Sequence, residues 1–119
     1  MASHGIKDRV AIVGMGCTRF AESWDKSADD LLVEATQECF ASTPRLPKED
    51  VDAYWLGTMN SGQSGVVLSR PVGIDYKPVT RVENMCATGS EAIRSPVSMC
   101  CSCPTHTVPC RSTWRVTLT

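Results

Sequence analysis

The sequence predicts an α/β fold, because segments typical of strands and of helices alternate along residues 8–94. Three observations support this prediction. A continuous apolar run ends at Gly14, an amphipathic helix begins behind a capping sequence at Ser27, and a β-branched stretch leads into Cys86 and a run of helix-forming residues. The predicted order is strand, helix, strand, loop with a short helix, strand and helix.

The first strand is predicted over residues 9–14. Its core is Val10-Ala11-Ile12-Val13, and a continuous rather than alternating apolar pattern is typical of a strand buried on both faces. Gly14 and Gly16 are interpreted as turn residues. They do not form a dinucleotide-binding fingerprint, because Arg19 stands where its third glycine would be.

A helix is predicted over residues 28–41. Ser27 and Asp30 have the spacing of a capping box, and Pro44 ends the helical pattern. One face of this helix collects small or apolar residues, namely Ala28, Leu31, Leu32, Ala35 and Cys39. On this face Cys39 is expected to pack as a small apolar residue.

The second strand is predicted over residues 52–59, with its aromatic side chains in the core. A turn with Pro47 at the first position of a brief helix precedes it. The polar loop Asn60–Gly65 follows, and it lacks the Gly-Lys-Ser/Thr of a phosphate-binding loop. It is therefore interpreted as a connection to a short helix at Val66–Ser69.

The third strand is predicted over residues 79–84, with Asn84 and Met85 forming the turn that leads to Cys86. A thiol at a helix N-terminus faces unpaired N–H groups and the positive end of the helix dipole, and both favour the thiolate. A strand, a sharp turn, a nucleophile and a helix form the same device as the serine elbow of hydrolases. The alternative is a buried structural thiol, since cysteine is often buried.

The segment N-M-C-A-T-G-S-E-A at Asn84–Ala92 resembles the active-site segment of thiolases, most closely sterol-carrier-protein-type (SCP2-type) thiolases and related acetyl-CoA acetyltransferases. The resemblance extends back through R-V-A-I-V-G-M-G-C-T-R-F at Arg9–Phe20 and covers Asp8 to Arg94. It implies that Cys86 is the acyl-accepting nucleophile. It also implies a partial thiolase fold, the first half of the N-terminal αβα domain, truncated and followed by an irregular tail.

The same resemblance implies an acyltransferase of lipid metabolism or lipid transport that works on coenzyme A or acyl-CoA as substrate, with no permanently bound cofactor. The reaction is 3-oxoacyl-CoA thiolysis or Claisen condensation. The intact family member is expected to be a homodimer, with the strand Val79–Glu83 at its interface. Some such proteins use a zinc-containing OB-fold partner. The other hypothesis is a non-catalytic fragment, or an interaction module that pairs with a full-length thiolase subunit.

Two segments of different composition are predicted, residues 1–94 as an incomplete thiolase N-terminal domain and 95–119 as a non-matching tail. All 13 acidic residues precede Ser95, and Pro96 is expected to end the helix. A frameshifted or disordered tail is the favoured interpretation. The alternative is a zinc site, for which the candidate ligands would be Cys100, Cys101, Cys103, His106 and Cys110, without the usual paired spacing.

The catalytic set expected of a thiolase is incomplete in this sequence. The family uses a histidine and a second cysteine from its later half, whereas the two histidines here, His4 and His106, lie in no matching motif. Cys86 is therefore the single catalytic residue that the resemblance assigns, and no metal ligand is assigned.

Composition excludes some function classes. A formal net charge of −1 provides no electrostatic basis for binding nucleic acid or an anionic membrane. Met1–Lys7 lacks the apolar stretch of a signal peptide, and no run approaches the length of a membrane-spanning helix. A cytoplasmic setting with reduced cysteines is therefore expected, and a peroxisomal or mitochondrial location in a eukaryote is not excluded.

Overall fold

A two-stranded parallel sheet lies at the centre of the computed structural model, which describes residues 10–102 and side chains as far as residue 98. Strand β1 is Tyr54–Gly57 and strand β2 is Val79–Val82. Tyr54 lies opposite Val79, and Gly57 lies opposite Val82. Both strands lie within the ranges predicted for them, and each is shorter than predicted.

Within residues 10–102, three α-helices surround this sheet: α1 (Ala28–Ala41), α2 (Val66–Val72) and α3 (Thr88–Ser102). Two short 3₁₀ turns, Lys48–Asp50 and Met85–Ala87, precede β1 and α3. Helix α2 connects the two parallel strands, so the centre of the chain is a β-α-β unit. This small mixed α/β arrangement confirms the predicted fold class. Among residues 10–102, none of the helices is both long and apolar enough to cross a membrane.

Strand β1 is buried on both faces, as the middle layer of an α/β fold should be. Successive side chains of a strand point to opposite faces. Tyr54 and Leu56 pack with Leu32 of α1 and Leu68 of α2, while Trp55 packs with Ala92 of α3. The helices therefore form layers on the two sides of the strand.

Helix α1 has the predicted bounds and the predicted N-terminus. The Ser27 hydroxyl accepts a hydrogen bond from the Asp30 amide (3.2 Å), and Asp30 Oδ2 accepts one from the Ser27 amide (2.8 Å). This reciprocal pair is the predicted capping box. The buried face differs in part from the prediction, because Ala28 is exposed and Thr36 is buried. The Thr36 hydroxyl is satisfied by the Leu32 carbonyl oxygen at 2.7 Å.

The prediction of a strand at residues 9–14 is wrong for the part that the structure describes. Residues 10–19 form no regular element, and Ile12 is 82% exposed. The chain is instead held against α1, where the Met15 amide donates to Ser42 Oγ (3.1 Å) and the Cys17 amide donates to Glu38 Oε2 (2.8 Å). An apolar run indicates a tendency to be buried, but a strand also needs a neighbouring edge with which to pair.

The glycines of this segment are not turn residues. A methyl group on Gly14 would lie 2.6 Å from Thr43 Cγ2, and one on Gly16 would collide with the main chain of Ala35 and Cys39. Their function is therefore to let the segment approach the C-terminal half of α1 closely.

The prediction that Pro96 ends the last helix is also wrong. Helix α3 continues through Pro96 to Ser102. A proline inside a helix removes one hydrogen bond and typically costs about 3 kcal/mol. Here its ring is fully buried, and burial of apolar surface offsets part of that cost. The predicted boundary at residue 94 remains a prediction, and most of the predicted tail lies outside the described residues.

Helix α2 is longer than predicted and ends in a glycine cap. Gly73 has a left-handed backbone (φ 67°), and the Ile74 amide donates back to the Ser69 carbonyl oxygen at 2.9 Å. Lys48 Nζ donates to the carbonyl oxygens of Val72 (3.1 Å) and Gly73 (2.8 Å). A cation at a helix C-terminus is favourable. Pro47 occupies the N-cap position of the 3₁₀ turn Lys48–Asp50, whereas the sequence predicted it at the first position of that turn.

Candidate functional site

The candidate site lies where both parallel strands end. Strand β1 ends at Gly57 and β2 at Val82, and the Thr58 amide still donates to the Val82 carbonyl oxygen at 3.2 Å. The loops that follow the two strands therefore leave the sheet at the same end, the carboxyl ends of both strands. Ligands of open α/β sheets bind at the carboxyl ends of the strands. Cys86 stands in the second of these loops, four residues after Val82 in the chain.

Cys86 is carried by a tight turn between β2 and α3. It is the middle residue of the 3₁₀ turn Met85–Ala87, and its side chain is exposed. The Ala87 amide donates to the Asn84 carbonyl oxygen at 2.8 Å and closes the turn. Helix α3 begins at Thr88, two residues after Cys86. The predicted strand, turn, cysteine and helix are all present in this order.

The backbone of this turn is strained at Met85, whose φ of 43° lies in the left-handed region. A non-glycine residue there typically costs about 1–2 kcal/mol. Such a conformation persists only where the surrounding contacts hold it. The position of the Cys86 thiol therefore depends on what holds Met85.

Two further hydrogen bonds in the turn are made by the side chain of Thr88. Its hydroxyl accepts a hydrogen bond from the Asn84 amide (2.8 Å) and donates one to the Met85 carbonyl oxygen (2.7 Å). Each such bond contributes about 0.5–1.5 kcal/mol net, so the pair is of the same size as the strain at Met85.

Thr88 is itself fixed by the sheet. It is 9% exposed, and a methyl group on Gly57 of β1 would lie 3.1 Å from Thr88 Cγ2 and 3.3 Å from Ala92 Cβ. A methyl group on Gly57 would require its neighbours to move by a few tenths of an ångström, so strand and helix pack closely here. This close packing joins the end of β1 to the first turn of α3.

Arg81 links the two loops at the same edge. Its Nη2 donates to the Met59 carbonyl oxygen (3.0 Å) and to Glu83 Oε2 (2.8 Å). The first contact lies after β1 and the second lies after β2. The guanidinium therefore connects the start of the loop after β1 with the residues that lead into the Cys86 turn.

The acidic residue in the first turn of α3 is neutralised by a neighbouring cation. Arg94 Nε and Nη2 donate to the two carboxylate oxygens of Glu91 at 2.9 and 2.6 Å. This pairing holds the pKa of the Glu91 carboxyl below its usual value. Arg94 therefore balances the negative charge of Glu91 at the start of α3.

Other predicted chemistry lies elsewhere or outside the described part. Cys17 and Cys39 are thiols like Cys86, and both lie on or near α1 rather than at the sheet edge. Among the side chains of residues 10–98, no cluster of three or more His, Cys, Asp or Glu could hold a metal ion. His4 and the cysteines and histidine of the alternative zinc site lie outside the residues whose side chains are described.

The sequence analysis proposed Cys86 as a site residue and did not propose Thr88. The signal for Cys86 was a reactive residue type between a strand and a helix. The signal for Thr88 was weaker, a hydroxyl residue four positions after Asn84 at the start of a helix. Its function in the turn becomes visible only from the two hydrogen bonds.

Comparison with known proteins identifies one family. The family model described as "Thiolase, N-terminal domain" matches residues 10–105. Over 94 residues and 74% of its length, the chain is 34% identical to acetyl-CoA acetyltransferase of Methanocaldococcus jannaschii and 32% identical to that of Methanothermobacter thermautotrophicus. Over an alignment of the same length it is 33% identical to sterol carrier protein 2 of Bos taurus.

These relatives are much longer than the matched region. The match covers 24% of each acetyl-CoA acetyltransferase and 17% of the sterol carrier protein. The chain thus spans about a quarter or less of the length of these relatives. The match of the family model also continues past Arg94, where the resemblance noted in the sequence stops.

Proposed function

The chain belongs to the thiolase family through its N-terminal domain, and on that premise we propose that it carries the acyl-accepting cysteine of a thiolase-type acyltransferase. The proposed acceptor is Cys86. The substrate class is acyl-CoA, in agreement with the acetyl-CoA acetyltransferases to which the chain is similar.

One observation supports this proposal above the others. Cys86 is an exposed thiol on a closed turn at the carboxyl edge of the parallel strands, directly before a helix. A buried structural thiol, the alternative that the sequence left open, would not be exposed. An acyl donor can therefore reach Cys86 Sγ from the solvent side.

The proposed chemistry is covalent acyl transfer. In thiolysis of a 3-oxoacyl-CoA the Cys86 thiolate attacks the 3-oxo carbon, and a carbon–sulfur bond forms. The bond between C2 and C3 then breaks, and the released enolate takes up a proton to become acetyl-CoA. The acyl group passes from Cys86 to the sulfur of a second coenzyme A, whose thiol loses its proton, and the Cys86 thiolate is restored. Splitting the transfer into two steps is the general advantage of covalent catalysis.

These residues do not supply the complete reaction. A thiol nucleophile usually needs an adjacent base, and acid–base steps typically contribute 10²–10⁴-fold in rate, as an order of magnitude. The residues that the structure describes include no histidine. We therefore propose that the 119 residues alone accept an acyl group slowly and are inactive in turnover.

A non-catalytic role is the second candidate, and one observation favours it. Strand β2 has no strand on its outer side among residues 10–102. An open strand edge is a template for pairing with another chain. In this alternative the chain pairs with a full-length thiolase subunit, and Cys86 accepts no acyl group.

Acyl transfer to individual cysteines distinguishes these candidates. The dilute chain is incubated with acetyl-CoA at mildly alkaline pH, digested and analysed by mass spectrometry. We expect one acetyl group, on Cys86, because the other described thiols do not lie at the strand ends. Cys86→Ala should abolish the acetylation.

The matched control is Cys17→Ala, which removes a second exposed thiol outside the candidate site. This variant should acetylate Cys86 at the rate of the unmodified sequence. Equal acetylation of Cys17, Cys39 and Cys86 would contradict the proposed function, and so would the absence of acetylation at Cys86.

A further inference from the structure

We propose that Thr88 is a positioning residue, whose side-chain hydroxyl holds the turn that presents Cys86. The proposal rests on the proposed function, since it assigns a role relative to the acyl-accepting thiol. It concerns a residue that does not touch the acyl group. Its basis is the hydrogen bonding, the burial and the backbone conformation of residues 84–88.

The hydroxyl of Thr88 forms hydrogen bonds with two main-chain groups around the strained residue, and the Met85 carbonyl oxygen also accepts one from the Thr88 amide. One is the amide of Asn84, before Met85 in the chain, and the other is the carbonyl oxygen of Met85 itself. Because a hydroxyl is both donor and acceptor, a single side chain can make both bonds. In a capping box, an acidic side chain accepts a hydrogen bond from the main-chain amide of the N-cap residue. The Thr88 hydroxyl accepts the corresponding bond from the amide of Asn84.

The turn has no side-chain cap at its start that could replace the Thr88 hydroxyl. Asn84 occupies the N-cap position of the 3₁₀ turn, and its own side chain makes no capping hydrogen bond. Asparagine is among the residues that usually supply such a bond. Here the side-chain contact of the turn comes instead from the C-terminal side, from Thr88.

The burial pattern places a fixed residue beneath an exposed one. Cys86, Ala87 and Gly89 are exposed, whereas Thr88 is buried against the end of β1. A side chain that is packed on one side and bonded to the turn on the other transmits the position of the sheet to the thiol. Removal of the hydroxyl alone should therefore release the turn without removing the packing.

The test compares valine and serine at this position. Thr88→Val keeps the branched shape and loses the hydroxyl, whereas Thr88→Ser keeps the hydroxyl and loses a methyl group. In Thr88→Val the amide of Asn84 should exchange its hydrogen about fivefold to tenfold faster, the effect of losing one ordinary hydrogen bond. NMR of the dilute full chain measures this exchange residue by residue. Thr88→Ser should retain the original rate.

The second readout is the thiol itself. Iodoacetamide labelling, resolved by mass spectrometry, gives the rate at Cys86 relative to Cys17, which lies outside the turn. In Thr88→Val this ratio should fall by about threefold, the size expected when a group loses a typical helix-terminus interaction. Thr88→Ser should restore the ratio.

Thr36→Val is the matched control. Thr36 is also a buried threonine, and its hydroxyl also donates to a main-chain carbonyl oxygen, but in α1. It should leave the Asn84 exchange rate and the labelling ratio unchanged. If Thr88→Val does not fold, Thr88→Ala compared with Thr88→Ser provides the same test of the hydroxyl.

Three results would overturn the proposal: unchanged Asn84 exchange in the folded Thr88→Val variant, a labelling ratio that Thr88→Ser fails to restore, or an equal fall of that ratio in Thr36→Val. Failure of the proposed function is distinguishable from these results. It would appear as absent acetylation of Cys86 by acetyl-CoA in the unmodified sequence, while amide exchange and alkylation still report whether Thr88 holds the turn.

Discussion

Two glycines show how differently the same residue type is used in this chain. Gly16 lies where the N-terminal segment crosses α1, and a methyl group there would collide with main-chain atoms of Ala35 and Cys39. Gly89 lies in the first turn of α3, and a methyl group there would meet nothing within 4 Å. The first position is limited by space, and the second is not.

The prediction at this scale is a change of opposite sign at the two positions. Gly16→Ala should lower the free energy of unfolding by about 1–3 kcal/mol, because overpacking against a backbone cannot relax by rotating a side chain. Gly89→Ala should raise it by up to about 1 kcal/mol, because alanine loses less conformational entropy in a helix. Urea denaturation of the dilute chain, followed by circular dichroism, measures both changes. Destabilisation by both substitutions to the same extent would show that the close approach at Gly16 is not what limits this position.

Residue types alone could not predict Thr88 or Met85. Cys86 could be proposed from the sequence because its chemistry is rare and its sequence neighbours are distinctive. The left-handed backbone of Met85 follows from no propensity of methionine, and the Thr88 hydroxyl could equally have faced solvent. Both depend on where β1 and α3 pack against each other, and this packing is a property of the tertiary structure rather than of single residues.

Among the elements, α1 depends most directly on its own sequence. Its capping box involves Ser27 and Asp30, and the hydrogen bonds from Ser27 hold the pKa of the Asp30 carboxyl below its usual value. A carboxyl with a lowered pKa in the folded state stabilises that state at neutral pH. The stabilisation is lost as the pH falls below about 4, the usual range of aspartate, because the proton then binds more tightly to the unfolded chain.

The prediction at this scale concerns the acid sensitivity of α1. Ser27→Ala should lower the free energy of unfolding by about 1 kcal/mol at neutral pH. Asp30→Asn should reduce the dependence of the unfolding free energy on pH between about pH 5 and pH 2. Asp29→Asn, in the same helical turn but outside the capping box, is the control and should retain that dependence. Urea denaturation at several pH values tests this, and equal pH profiles for the two aspartate variants would count against it.

Elements with local signals were predictable, and those that need a distant partner were not. Ser27 and Asp30 define the start of α1 without help from the rest of the fold, and β1 is marked by Tyr54, Trp55 and Leu56. The apolar run at Val10–Val13 indicated a strand, but the edge with which it would pair is not written in those residues. Pro96 disfavours a helix locally, and its burial in the fold overrides that preference.

At the scale of the whole molecule, large apolar side chains remain uncovered. Several of them lie outside both core clusters, namely Ile12, Phe20, Trp24, Tyr76 and Met85. Such side chains are available for contacts with further protein. Their exposure agrees with a chain that matches about a quarter of the length of its acetyl-CoA acetyltransferase relatives. Both observations agree with the proposal that these 119 residues carry the acceptor, Cys86, and are inactive in turnover.

The most direct test of this account is a turnover experiment with the purified 119-residue chain. The chain is mixed with acetoacetyl-CoA and coenzyme A, acetyl-CoA is measured over time, and the protein is analysed by mass spectrometry. We predict at most one acetyl group per chain, on Cys86, with no steady formation of acetyl-CoA and no acylation in Cys86→Ala. Sustained acetyl-CoA formation would show that the catalytic set is complete, and acylation confined to another cysteine would remove Cys86 from its assigned role.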